Sequence, residues 1–435
     1  MRGERGRRAR TPVLSMRSMR RPRSAIHGEK CPPGDTIACA SSIEMKAPDV
    51  KAMVRAPPLP ATMEHHSIAR SPLMSAVANH FSQSYAEARE KFCASVAESG
   101  GGLRSLRNPT LGPDGERLFM DVARFGADDA PRMLVLMAAT HGVEGYCGSG
   151  AMINWLRAGR AAALPSDTGA LLIHGVNPHG FAWIRRVNED NVDVNRNFVD
   201  HGKAYPANSG YVELADALKP ATYDEASLAE SRRVFAAFTQ QHGAFGFQSA
   251  VSAGQYTHPQ GLFFGGNKPT WTNRAIRRVI REELGHARLI GCIDFHTGLG
   301  PFGHGEMINV SPPGSAAFAR AKRWYGDEMT SPEQGSSTSA VVTGAVLDAF
   351  PQEAPDAAFC GIALEYGTYP VDEVMEAVRR DNWLHIHGDL NSAQGRDFKA
   401  YMRERFYPAD AKWAEMVWSR ADEVIGMALS GLATS

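Results

Sequence analysis

The sequence predicts an α/β fold: one domain in which a mixed, mostly parallel sheet is flanked by helices on both faces. Three observations predict it. Of the 435 residues, 43% are hydrophobic and 22% charged, the composition of a chain that folds around a sizeable core. Several short runs, Arg132–Ala138, Leu289–Phe295 and Phe359–Tyr366 among them, are apolar almost without interruption, as strands buried on both faces are. Between such runs lie longer segments with apolar residues at helical spacing, the alternation that builds parallel strands joined by covering helices.

Taken in order, residues 1–72 read as an Arg-rich N-terminal extension, disordered by composition. Met1–Arg23 is dense in arginine, Ala56–Pro60 is rich in proline and alanine, and too little apolar surface is present to offset the entropy of ordering. A nucleic-acid arm, a transit peptide, or an upstream start with the protein beginning at Met63 or Met74 are other readings of the same segment. The domain spans 73–435. Phe81, Tyr85, Ala88, Phe92 and Val96 share one helical face, and Ser99-Gly100-Gly101-Gly102 ends that helix. Strands are expected at Arg117–Phe125, Arg132–Ala138, Ala170–Gly175, Leu289–Phe295, Glu306–Val310 and Phe359–Tyr366. Helices are expected at Gly148–Ala158, Ser227–Gln241, Thr270–Leu284, Ser315–Tyr325, Val371–His387 and Pro408–Met427. In the last of these Trp413, Val417, Ala421, Val424 and Ala428 form a packing stripe.

The zero formal net charge hides an asymmetry: residues 1–60 carry 13 Lys+Arg against 5 Asp+Glu, leaving 34 against 42 for the rest. A mildly acidic body argues against nucleic acid as a partner. No apolar run reaches the roughly 20 residues that span a bilayer. The six cysteines are scattered without a C-x-x-C pair, which suits reduced thiols and a cytoplasmic address.

Chemistry is signalled first at Ala138-Ala139-Thr140-His141-Gly142-Val143-Glu144-Gly145, directly after a predicted strand, where ligands of open α/β sheets bind. A glycine-flanked turn aims an imidazole and a carboxylate at one point, two of the three ligands of a catalytic zinc. Ile293-Asp294-Phe295-His296-Thr297-Gly298 has the same form, with Asp294 placed to orient His296. Either histidine alone reads as a hydrogen-bonded strand end; the pair favours a metal. Two histidines and a glutamate suit zinc, with cobalt or manganese as other occupants.

A third stretch holds Asn177-Pro178-His179-Gly180-Phe181, then Arg185-Arg186, then Asp193-Val194-Asn195-Arg196-Asn197-Phe198. With H-x-x-E before it, a histidine after it and Glu365 late on an apolar strand, the chain resembles the zinc carboxypeptidases and the aspartoacylase/succinylglutamate desuccinylase group. Closer still, T-H-G-V-E-G, R-R-V-N-E-D-N-V-D-V-N-R-N-F and D-F-H-T-G-L-G-P are similar to an M14-like bacterial branch known as a domain of unknown function, DUF2817. The resemblance covers about residues 75–430 and implies a zinc-carboxypeptidase-like domain. It implies His141, Glu144 and His296 as ligands of one zinc, and Asn195 and Arg196 as the grip on a substrate carboxylate. It further implies an arginine on the scissile carbonyl, Arg186 or its neighbour Arg185, and Glu365 as general base. Each role suits its residue type: a guanidinium forks onto a carboxylate, a fixed cation stabilises an oxyanion, and zinc lowers the pKa of water toward about 7.

The expected activity is hydrolysis of an amide in a small carboxylate-bearing or peptide substrate, by a carboxypeptidase or an N-acyl amino acid deacylase. The alternative is a zinc-containing binding protein of the same fold without turnover. One departure from the carboxypeptidase pattern stands out: Ser331–Cys360 contains no tyrosine, leaving Tyr366 and Tyr369 as substitutes. The insertion from His201 to Gly266, rich in glycine and aromatics, either covers the cleft or packs as a plain loop. His385 and His387 are two apart on a helix and diverge, Cys147 is surplus to three ligands, and Gly148-Ser149-Gly150 is no nucleophile elbow.

Overall fold

A computed structural model of the protein describes residues 77–435. The extension over 1–72 and both alternative starts, Met63 and Met74, lie outside the described residues. Seven strands form one sheet in the order β1-β2-β4-β3-β5-β7-β6: β1 Gly102–Leu111, β2 Arg117–Phe125, β3 Arg132–Ala138, β4 Thr168–His174, β5 Leu289–Phe302, β6 Gly305–Ile308 and β7 Ala358–Gly367. The centre, β4-β3-β5-β7, is parallel, whereas β1, β2 and β6 add antiparallel at the two edges. The sheet is therefore mixed as expected, but the parallel part is confined to the middle four strands.

Strand β3 shows why its sequence reads as an unbroken apolar run. Leu134, Leu136 and Ala138 enter the core on one face, with Phe92, Trp155 and Trp413. Met133, Val135 and Met137 enter the core on the other, with Ile276, Ile280 and Phe350. Period-2 alternation with both faces buried leaves no polar position. The longer helices are α1 Tyr85–Glu98, α2 Gly145–Arg157, α3 Ser209–Leu218, α4 Glu225–Ser252, α5 Trp271–Leu284, α6 Ala316–Tyr325, α7 Val371–His387, α8 Ala393–Phe406 and α9 Ala411–Thr434. Several start on a side-chain cap: Ser84, Thr270, Ser315 and Asp410 each accept from a backbone N–H of the first turn. Helices α1, α2 and α9 cover the first face and α5 the second.

Four differences from the sequence reading have physical causes. Strand β1 was not anticipated because it is an edge strand whose inner face carries Arg104, Leu106, Asn108 and Thr110, mostly polar, and which holds Pro109, so it shows no apolar alternation. Strand β5 does not end at a glycine turn after His296; it runs on to Phe302 through an irregular register, with Gly298 and Gly300 at positive φ. In the 201–266 insertion α3 was not expected, and α4 runs longer than the expected Ser227–Gln241, kinked at Gly243 (φ 75°) and continuing to Ser252, while residues 253–266 lie outside any helix. Helix α8 lies where no helix was expected. No helix among the described residues is long and apolar enough to cross a membrane.

Candidate metal centre

The topology brings the carboxyl ends of β3, β5 and β7, three adjacent parallel strands, to one place. His141 and Glu144 follow β3; His296 lies on β5, directly opposite Glu365 on β7. The turn after β3 is tightly built. Ala139 has a left-handed backbone (φ 69°), and a Cβ on Gly142 would stand 1.9 Å from the carbonyl carbon of Gly180, so only glycine fits there. Gly142 and Val143 donate backbone bonds to the carbonyls of Arg186 and Arg185, which ties the arginine segment to the same turn.

Ligand atoms of His141, Glu144 and His296 lie within 4.8 Å of one another, and all three side chains are buried. Nδ1 of His141 is 2.9 Å from Glu144 Oε1 and 3.1 Å from Nδ1 of His296, which in turn is 3.0 Å from Glu144 Oε2. Each ring presents its far nitrogen to a carboxylate. Nε2 of His296 is 2.7 Å from Asp294 Oδ2, and Nε2 of His141 is 3.3 Å from Asp193 Oδ1. That pattern, near nitrogens converging and far nitrogens held by carboxylates, is how imidazoles are oriented toward a metal. Asp294 reaches His296 because residues two apart on a strand share a face, and Thr140 Oγ1 donates to its other oxygen at 2.9 Å. The donor set of two imidazole nitrogens and a carboxylate fits a divalent metal that keeps a position for water.

Charge is balanced within this dry site. Burial opposes ionisation of Glu144, yet the rings of His141 and His296 hold its carboxyl well below the usual range. Burial likewise opposes a charged His296, but Asp294 and Glu144 push its pKa well above that of a free imidazole. Burial, then the nearby Glu144 charge, pushes Glu365 up to about 8, while its Oε1 accepts from the Leu299 N–H at 3.0 Å. Arg186 donates from Nε to Asp193 at 2.9 Å and from Nη1 to Glu144 at 3.2 Å, and its Nη2 is 2.8 Å from His141 Nε2. Arg196 gives three of its N–H groups to the carbonyls of Ser252 and Asn195, leaving two of five unassigned. The Phe263 ring lies 5.0 Å from the Arg186 guanidinium and 5.9 Å from that of Arg196.

All seven residues singled out in the sequence, His141, Glu144, Arg186, Asn195, Arg196, His296 and Glu365, line one cleft of about 120 Å³. Arg185 does not: its side chain turns away to Asp381 and Asn191. Tyr366 donates to the Val417 carbonyl and Tyr369 to Glu404, and neither lines the cleft. From the insertion, Gln248, Ser252 and Phe263 do line it. Asp193 was passed over, although it opens the D-x-N-R-N-F box; its carboxylate, bridging Arg186 and His141, sets the register of the whole turn. Asp294→Asn is expected to weaken metal binding about 10- to 100-fold, measured by competition with a chromogenic chelator; unchanged affinity would show that Asp294 does not orient His296.

A family model described as a protein of unknown function (DUF2817) matches residues 81–420. No curated protein matches the chain. Among solved structures, carboxypeptidase A from Helicoverpa armigera is 14% identical over 75% of this chain and 74% of its own, with a TM-score of 0.38. Thrombin activatable fibrinolysis inhibitor is 11% identical over 84% and 78%, with a TM-score of 0.45. A proposed succinylglutamate desuccinylase/aspartoacylase from Shewanella frigidimarina is 14% identical over 66% and 71%, with a TM-score of 0.31.

Proposed function

The chain belongs to the DUF2817 family, whose description carries no activity, and from its site we propose that it is a zinc-dependent hydrolase cleaving an amide bond of a small carboxylate-bearing substrate. One observation carries the reading: the Nδ1 atoms of His141 and His296 and the carboxylate of Glu144 converge, each ring backed by an aspartate. The order of motifs, which resembles that of the zinc carboxypeptidases and aspartoacylases, supports it. His141, Glu144 and His296 would hold one zinc per chain, whose Lewis acidity eases ionisation of water and polarises a carbonyl.

The chain's own groups do the rest. Glu365 takes a proton from the attacking water and delivers it to the departing nitrogen; the C–N bond breaks, giving a carboxylate and an amine. Arg186, fixed by Asp193 and Glu144, presents a permanent positive charge where the oxyanion develops. The two remaining N–H groups of Arg196, with Asn195 beside it, take the substrate carboxylate and fix its orientation. Asn195 Oδ1 already accepts from the Val346 N–H at 2.8 Å, so its amide donors are the groups it offers. We place the activity in the cytoplasm, and the free thiols of Cys93, Cys147, Cys292 and Cys360 suit a reducing compartment.

The test is turnover by zinc-loaded protein on N-acyl amino acids and on short peptides, followed by release of the free amine. Cleavage of either class is expected, and inertness toward both overturns the reading. Arg196→Lys is expected to raise KM about tenfold or more while kcat changes less, since a forked, charge-assisted contact becomes a single one; an unchanged KM would remove Arg196 from the carboxylate site.

A further inference from the structure

Beyond the centre, the cleft has a wall that no step above uses. Its charged lining side chains are His141, Glu144, Arg186, Arg196, His296 and Glu365, and each already has a role. Most of the remaining lining is aliphatic. On α7, Val371, Val374, Met375 and Val378 fall at i, i+3, i+4 and i+7, a single stripe of the helix turned to the cleft. Phe406, ending α8, joins them, and Val374 and Phe406 both pack on Gly298, just past His296. Part of this apolar surface faces water, Val371 being 54% exposed. An aliphatic helix stripe that lines a cleft and is exposed at one end marks a surface that a ligand covers.

The grip for the carboxylate is supplied elsewhere. Asn195 and Arg196 stand on the 193–198 turn and are anchored to Val346 and Ser252, so α7 and Phe406 are left for another part of the substrate. Resting on the amide-hydrolase reading above, we infer that the substrate is an N-acyl amino acid with one carboxylate, whose acyl group is a hydrocarbon chain seated against Val371, Val374, Met375 and Phe406. An acidic acyl group such as succinyl would lose its hydration against this wall, whose own side chains offer no cation to receive it. A basic amino acid would find no lining acid other than Glu144 and Glu365.

Two measurements on the zinc-loaded full chain test this. The first compares kcat/KM for N-acetyl, N-butyryl, N-hexanoyl, N-octanoyl and N-succinyl alanine. A rise of roughly two- to four-fold per methylene up to hexanoyl is expected, with succinyl poorest and with Met375→Gln flattening the slope. A flat series, or a preference for succinyl, overturns the inference. The second titrates butyrate, hexanoate and octanoate by calorimetry, where affinity should rise in the same order and the rise should be lost in Met375→Gln. Cleavage without chain-length dependence in either experiment ends the inference and leaves the hydrolase reading standing. Chain-length-dependent binding abolished by Met375→Gln, with no N-acyl alanine cleaved, ends the hydrolase reading and leaves the wall.

Discussion

Glu365→Gln is expected to lower turnover by about 10³-fold or more while bound metal and folding are retained. A general base contributes roughly 10²- to 10⁴-fold, and on the proposed mechanism this carboxyl serves twice, first on water and then on the leaving nitrogen. The substitution is chosen to isolate that role. Glutamine keeps the size of the side chain and still offers an oxygen to the Leu299 N–H, so the strand end is not disturbed. It also removes the repulsion between Glu365 and Glu144, which helps drive Glu365 up to about 8, so the variant should unfold no more easily than the parent. Metal content should be unchanged because Glu365 is not part of the His141, Glu144 and His296 cluster. A variant that keeps its metal and its rate would show that another group moves the proton.

The second large effect is expected outside the cleft, at Asp381. Its carboxylate is buried and receives Arg185 Nε at 3.0 Å and Lys399 Nζ at 2.5 Å, while Lys399 also donates to the Trp183 carbonyl at 2.7 Å. This cluster fastens the segment ahead of Arg186 to α7 and α8. Ile184 within that segment is held at φ 51°, a conformation a β-branched residue adopts only when its surroundings impose it. Asp381→Asn leaves two buried cations without a counter-charge and should cost about 3–5 kcal/mol of stability, read by chemical denaturation. Asp381→Asn combined with Lys399→Met should recover part of the loss; a single variant as stable as the parent would show that the pair contributes nothing.

The same carboxylate gives a pH signature. Burial works against its charge, but Lys399 and Arg185 hold its pKa down at about 2. Its folded value lies below the unfolded value of about 3.9, so the stabilisation is complete above that pH and is lost as pH falls toward about 2. Burial also brings Lys399 down to about 8 despite its partner, a sign of how dry the cluster is.

How far these features could be read from the sequence depends on how each is encoded. Strand β3 lies where the sequence reading puts it to the residue because a strand buried on both faces writes itself as an apolar run; β2 coincides as well, although Asp121 and Arg124 interrupt its apolar positions. His141, Glu144, His296 and Glu365 were legible because each sits at the carboxyl end of such a run, and the parallel centre of the sheet makes those ends coincide. Strand β1 left no trace, since the inner face of this edge strand is filled mostly by polar residues, Arg104, Asn108 and Thr110 beside Leu106. Arg185 and Arg186 are indistinguishable in sequence because two adjacent residues of one type carry no signal of direction, and only their side-chain partners, Asp193 and Glu144 for Arg186 against Asp381 and Asn191 for Arg185, decide which one faces the metal turn. Helix α7 was expected but its role as a cleft wall was not, because the same apolar spacing packs a core. Asp381 and Lys399 lie on two helices and meet only when α7 and α8 pair.

The central claim is that His141, Glu144 and His296 together hold a metal. The most direct test is elemental analysis of the purified protein beside its His141→Ala and His296→Ala variants, each confirmed as folded by circular dichroism. The parent should carry about one zinc per chain and either variant far less, because three protein ligands leave no spare. Stoichiometric metal in a folded variant lacking either imidazole would contradict the ligand set and the hydrolytic reading built on it.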